Sequence, residues 1–250
     1  MDKSLLEKIG SMPYINIVGV STVGKSTYSQ IISEGLNQNG ISNLIVPTDM
    51  IKDGLREMIL TGFDLPDSIS YARRECLLHP SKRLNPEDAI DAAYIVGALK
   101  REVNFFLQKK FSGTILYEGF FIPERDSYSL FIQRSFDWML KVNASRQLAR
   151  HNNIDRVSLL EESENLFLLQ QLFADTLKVE GLNNVSEGLN PVYQNIPLTE
   201  LLFTNANIIN FENFAPEFLR YLGFKNFKNK AVESFLKGVQ HAYVRTTDLK

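Results

Sequence analysis

Eight consecutive residues, Gly19-Val20-Ser21-Thr22-Val23-Gly24-Lys25-Ser26, match the pattern G-x-x-x-x-G-K-[ST] in full. The chemistry open to such a run is the holding of a polyphosphate. Glycines permit a compact loop, and its backbone N–H groups form an anion nest. A helix starting just behind the loop turns its positive end toward the same oxygens. Lys25 can reach β- and γ-phosphates, and Ser26 can ligate Mg²⁺. The nucleotide-binding set is then Gly19, Ser21, Thr22, Val23, Gly24, Lys25, Ser26 and Thr27. A chance match in an ordinary strand-to-helix turn is the competing reading. Context argues against it, because an apolar run (Tyr14 to Val20) precedes the motif and a helical apolar stripe (Tyr28, Ile31, Ile32, Leu36) follows it.

Further chemistry depends on what accompanies the loop. Asp49 follows the apolar run Leu44-Ile45-Val46. At the carboxyl edge of a parallel sheet, a carboxylate can orient or deprotonate a substrate hydroxyl. Capping the helix that follows is a compatible role. Glu118 ends the run Thr114-Ile115-Leu116-Tyr117 and, with Ser26, is a candidate Mg²⁺ ligand; a plain turn residue beside Gly119 is the alternative. Arg146 and Arg150 stand one helical turn apart in a polar, basic segment. Their guanidinium groups suit a closing lid that neutralises a transferring phosphoryl group, although a solvated basic face has the same pattern. Lys52, Arg56, Arg73 and Arg74 form a second basic group suited to an anionic acceptor. Asp53 and Glu57 lie among them, so ordinary surface charge competes. Cys76 and His79 have no chemical partner in the sequence and read as a packed thiol and a loop imidazole.

These residues need elements to position them. Strands are expected at 14–20, 44–46, 114–117, 136–142 and 208–211, helices at 26–38, 50–60, from about 66 onward, 85–110 and 159–177, and a short entry helix or an ordered arm at 4–10. Pro123 to Arg134 reads as a short helix or irregular crossover, Gly181 to Pro197 as an irregular excursion, and Leu198 to Phe203 as a helical turn. The alternation predicts an α/β class: a three-layer α/β/α P-loop NTPase fold with a mostly parallel five-stranded sheet and a lid. Residues 1–211 form the core, with substrate helices at about 50–110 and the lid at about 143–158. Residues 212–250 form a helical extension packed on that core.

Composition excludes several functions. The 250 residues carry 27 basic and 29 acidic side chains, a net charge of -2, so the coat of positive charge that a general nucleic-acid binder needs is missing. No apolar run reaches about 18 residues, which argues against a membrane span. The first residues lack the pattern of a signal peptide, and Cys76 is the only cysteine, so a cytoplasmic chain without an internal disulfide is expected. His79, His151 and His241 show no metal spacing. A guanine-reading N-K-x-D motif is absent, which argues against a regulatory GTPase. Monomer and homo-oligomer both fit this composition.

Three segments narrow the class: Ile17 to Thr27, Thr48-Asp49-Met50-Ile51-Lys52-Asp53-Gly54-Leu55-Arg56, and Ile115-Leu116-Tyr117-Glu118-Gly119. Together they resemble P-loop small-molecule kinases, most closely those similar to 2-phosphoglycerate kinase. The threonine–aspartate start followed by basic residues is shared, with Lys52 where the family pattern has arginine. The resemblance implies ATP, Mg²⁺, an adenylate-kinase-like core with a lid, and an acceptor-contacting role for Asp49. The expected activity is ATP-dependent phosphoryl transfer to a hydroxyl of a small, anionic acceptor, with Lys25, Asp49, Arg146 and Arg150 as catalytic groups. Two other readings remain beside it. One is a nucleoside or nucleotide kinase using aromatics around Phe63, Tyr71, Tyr94 and Phe120. The other is a nucleotide-regulated scaffold with an exposed apolar face on residues 212–240.

Overall fold

The run Tyr14–Val18 (β1) is buried along almost its whole length, as a strand is when layers cover both of its faces. The computed structural model describes residues 3–64, 85–151, 154–182, 207–224 and 229–247. In it β1 pairs in parallel with β3 (Thr114–Gly119) on one side and with β4 (Ser129–Phe131) on the other. Strand β2 (Asn43–Pro47) joins β3, also in parallel, and the order is β2-β3-β1-β4. Helices α1 (Lys3–Gly10), α2 (Lys25–Gln38), α3 (Thr48–Leu60), α4 (Pro86–Gln108), α5 (Phe136–His151), α6 (Arg156–Val179), α7 (Phe211–Tyr221) and α8 (Asn229–Thr247) complete the described elements. The result is a three-layer α/β fold around a parallel sheet.

Alternation along β3 sorts the layers. Glu118 meets Ser26 and Ser29 of α2 on one face. Its neighbour Tyr117 meets α4 on the other, where its hydroxyl donates to Asn104. Lys100 of α4 is fully enclosed there, 4.0 Å from the Tyr14 ring centroid and 4.7 Å from that of Tyr117. It donates to Glu124 at 2.9 Å. Burial lowers its pKa to about 8, against the pull of Glu124. Helix α4 starts cleanly because Asn85 accepts from the Asp88 N–H and Pro86 occupies the first turn.

Three expectations about strands are corrected. Residues 136–142 are helical and open α5. Their apolar run is too short to separate strand from helix by itself, but Met139, Val142 and Asn143 share one buried helical face. The fourth strand lies earlier, inside the segment read as a crossover. Two of its concealing residues are serines: Ser127 just before it and Ser129 within it, both buried because they accept from the Asn16 side chain. The fifth strand reduces to a single parallel bridge, Ile208 to Ile45, at the β2 edge, and Phe211 already begins α7. Residues 143–151 continue α5, and 154–158 lead into α6, whose first N–H groups Asp155 caps. The helix expected from about residue 66, the excursion after Gly181 and the turn at 198–203 lie outside the described residues, apart from Gly181 and Leu182 themselves.

The phenylalanine-rich C-terminal segment is part of the core. Phe214 and Phe218 of α7 pack on Phe106 of α4, with centroids 5.7 Å and 5.6 Å away. Helix α8 lies along α3, where the Phe235 ring sits directly over Gly54. The apolar face expected to be exposed in a scaffold is thus covered by the chain itself: Phe214, Phe218, Leu219, Phe235 and Val239 are all buried. Among the described residues no helix is long and apolar enough to cross a membrane. Phe235→Ala is expected to destabilise the whole fold by about 3–5 kcal/mol in denaturant unfolding, with one cooperative transition. A small loss, or separate unfolding of α8, would mean that the helix is an appendage.

Candidate functional site

Strand register brings the chemistry to one edge. Ile17, Glu118 and Pro47 stand level across β1, β3 and β2, and Val18 stands level with Phe131 of β4. The chain therefore leaves this carboxyl edge at Gly19, at Thr48-Asp49, at Gly119 and just before Arg134. In open parallel sheets ligands bind at this edge.

The loop Gly19–Gly24 joins β1 to α2. Gly24 caps α2 with φ 90°, in the left-handed region that favours glycine. Gly24 has no side chain with which to cap that end of the helix, and no acidic residue lies in its first turn. A helix start of this kind suits an anion. Thr22 adopts φ 75° although it has a side chain, and its buried hydroxyl has no hydrogen-bond partner among the described residues. Lys25 Nζ donates to the Val20 carbonyl at 2.8 Å, so the ammonium lies within the curve of the loop. Burial pulls the Lys25 pKa down. Asp49 and Glu118 oppose that shift, and Arg146 adds to it.

Glu118 is the centre of the site and only 8% exposed. Its two carboxylate oxygens accept from Ser26 Oγ at 3.1 Å and Ser29 Oγ at 3.2 Å. Burial pushes its pKa up. Lys25 and the serine hydroxyls counter that, while Asp49 adds to it. Its carbonyl accepts from Thr48 Oγ1 at 2.9 Å, which ties the start of α3 to the end of β3. Gly119 follows because any Cβ there would collide with that threonine hydroxyl. Among the described residues no three His, Cys, Asp or Glu side chains gather as a metal cage. The neighbouring Ser26 and Glu118 oxygens instead suit an ion carried in on phosphate, which takes few protein ligands.

Asp49 lies exposed in the first turn of α3, and Pro47, not Asp49, holds the capping position. Asp49, Lys52 and Arg56 share one face of that helix by their spacing. Lys52 is 6% exposed and makes no hydrogen bond or ion pair with the described residues. Arg56 Nε is buried without a hydrogen-bond partner, and its nearest carboxylate, Asp53, is 4.0 Å away. Lys52 lies about one turn and Arg56 about two turns along this helix from Asp49. Arg146 of α5 reaches across to donate to Ser21 Oγ at 3.4 Å. Arg150 is on the last turn of α5. Arg73 and Arg74, with Cys76 and His79, lie outside the described residues.

Two of the aromatic residues considered for base binding have partners among the described residues. Phe120 is buried against Phe173, with centroids 4.8 Å apart, and the Tyr94 hydroxyl donates to Glu180. Tyr71 lies outside the described residues. Sequence reasoning missed Arg134, Trp138 and Gln170, which surround the loop on the β4 side. A cleft of about 1080 Å³ opens there, lined by Arg134, Trp138, Lys141, Phe167, Gln170 and Lys178 among others. The signal existed: had Ser129–Phe131 been read as a strand, Arg134 would have been seen leaving the same edge as Gly19. The chain matches no protein-family model and no curated protein.

The raised Glu118 pKa has a signed consequence. A carboxyl that binds its proton more tightly in the folded state stabilises the fold fully below its ordinary value of 4.5. That contribution is lost as pH rises through the raised value. Glu118→Gln should therefore gain stability relative to the parent as pH increases from about 4.5 toward neutrality. Thermal unfolding across that range checks this, and parallel curves for the two proteins would refute the buried-carboxylate assignment.

Proposed function

We propose that the chain is an ATP- and Mg²⁺-dependent kinase that transfers the γ-phosphoryl group to a hydroxyl of a small anionic metabolite, in the manner of P-loop kinases similar to 2-phosphoglycerate kinase. The observation that carries the reading is the convergence at one sheet edge of three things: the phosphate loop, the Ser26–Glu118 pair, and Asp49 backed by Lys52 and Arg56. The first supplies phosphate binding, the second metal ligands and the third an acceptor subsite.

Roles follow from chemistry. The loop N–H groups and Lys25 hold the β- and γ-phosphates. Ser26 and Glu118 would hold Mg²⁺, which supplies charge neutralisation on the phosphate oxygens. Asp49 accepts a hydrogen bond from the acceptor hydroxyl and orients it for in-line attack. Lys52 and Arg56 hold the acceptor's own negative charge. Arg146, which donates to Ser21 Oγ in the loop, is suited to the charge spread over the transferring group. The cleft beside Trp138 offers room for the nucleoside part of ATP.

An acceptor screen with γ-labelled ATP and Mg²⁺ across acidic metabolites and nucleosides tests the reading. Label on an acidic hydroxyl compound is expected. Label on nucleosides alone would overturn the acceptor class, and nucleotide binding without any transfer would overturn the kinase reading. Lys25→Ala should lower turnover roughly 100-fold or more with the fold retained. Lys52→Met should raise the KM for the acceptor roughly 10- to 100-fold and leave ATP binding unchanged. An unchanged acceptor KM would remove Lys52 from the subsite.

A further inference from the structure

The loop that holds the proposed polyphosphate is itself held from outside. Trp138 Nε1 donates to the Thr22 carbonyl at 3.4 Å, and Arg134 Nε donates to the Val23 carbonyl at 3.2 Å. The Arg134 guanidinium also donates to Tyr28 Oη at 3.3 Å and lies between two rings, 4.7 Å from the Trp138 centroid and 5.5 Å from that of Tyr28. Its position is set in turn by Gln170 of α6, which is 5% exposed. The Gln170 amide accepts from the Arg134 N–H at 2.8 Å and donates to the Arg134 carbonyl at 2.9 Å. A continuous chain of contacts thus runs from α6 through Arg134 to the tip of the loop.

Peptide geometry says what this does. In a planar trans peptide the C=O and the N–H point in opposite directions. A donor that fixes the Thr22 carbonyl therefore fixes the Val23 N–H the other way, and one that fixes the Val23 carbonyl does the same for the Gly24 N–H. These are loop N–H groups of the kind that make an anion nest. Thr22 needs such support: a left-handed non-glycine residue with an orphaned hydroxyl persists only where its surroundings over-determine it. We infer that Arg134 and Trp138 are positioning residues that orient the phosphate-binding peptides before ligand arrives, with Gln170 as their anchor. This rests on the phosphate-loop reading of the proposed function.

The test measures inorganic tripolyphosphate, which has no base to stack, beside MgATP. Trp138→Phe keeps the ring and charge but loses the donor. Arg134→Lys keeps the charge but not the guanidinium geometry. Titration calorimetry well below each protein's unfolding midpoint reads the folded form alone. Tripolyphosphate affinity is expected to fall about 5- to 10-fold in each variant, in step with MgATP. Unchanged tripolyphosphate affinity would overturn the inference, including the case where MgATP alone weakens, because the two side chains would then serve the nucleoside. Wild-type protein that binds no tripolyphosphate would overturn the phosphate-loop reading itself. Either folded variant decides the matter, and Gln170→Met, which touches neither loop carbonyl, provides a third with the same expected direction.

Discussion

A buried carboxylate at the end of β3 holds the working edge together. Taking Glu118 out of water costs several kcal/mol. The cost is offset by two serine hydroxyls one turn apart on α2 and by the ammonium of Lys25. The same residue's carbonyl receives the Thr48 hydroxyl, so one position joins the helix behind the phosphate loop, the central strand and the helix carrying Asp49. Removing the next Cβ, at Gly119, is what lets Thr48 come that close. Relative placement of the loop and α3 is thereby set by backbone and short side chains, which have little rotamer freedom to spread it.

Charge in this edge is arranged before any ligand is present. Lys25, Glu118, Asp49 and Arg146 each influence the ionisation of another member of the group. Fixed charges in a site partly shielded from water need little reorganisation when a charged reactant enters. Lys52 and Arg56 differ from these four: Arg56 has only a long ion pair, 4.0 Å to Asp53, and Lys52 is buried without an ion pair to the described residues.

Legibility of this molecule in its sequence followed the range of the physical signal. β1, β2 and β3 are read correctly because each is a short apolar run buried on both faces and bounded by turn residues. The turn from β1 into α2 is read from eight adjacent residues, and Glu118 and Asp49 fall at or beside the ends of β3 and β2, where their sequence neighbours put them. β4 is missed because Ser127 and Ser129 look like turn residues, and their burial depends on Asn16, more than a hundred positions away. Misplacing β4 moved the next strand into α5 and hid Arg134 and Trp138. Their value lies in carbonyls of a distant loop, and no local pattern announces a side chain whose partner is a backbone oxygen. Gln170 is hidden for the same reason: mid-helix, between Leu169 and Gln171, it reads as filler until its amide is seen to grip another peptide.

The pairing of α3 with α8 has a consequence for the order in which this molecule comes into being. Gly54 and Phe235 meet across most of the chain's length. At a translation rate of about 5–20 residues per second, the later partner emerges roughly 10 to 40 seconds after the earlier one. During that interval α3 presents an apolar side with nothing on it, while β1, β2 and β3 can already pair with one another. The three central strands can thus pair on the ribosome before α8 locks α3, and the nascent α3 is the surface that a chaperone would meet.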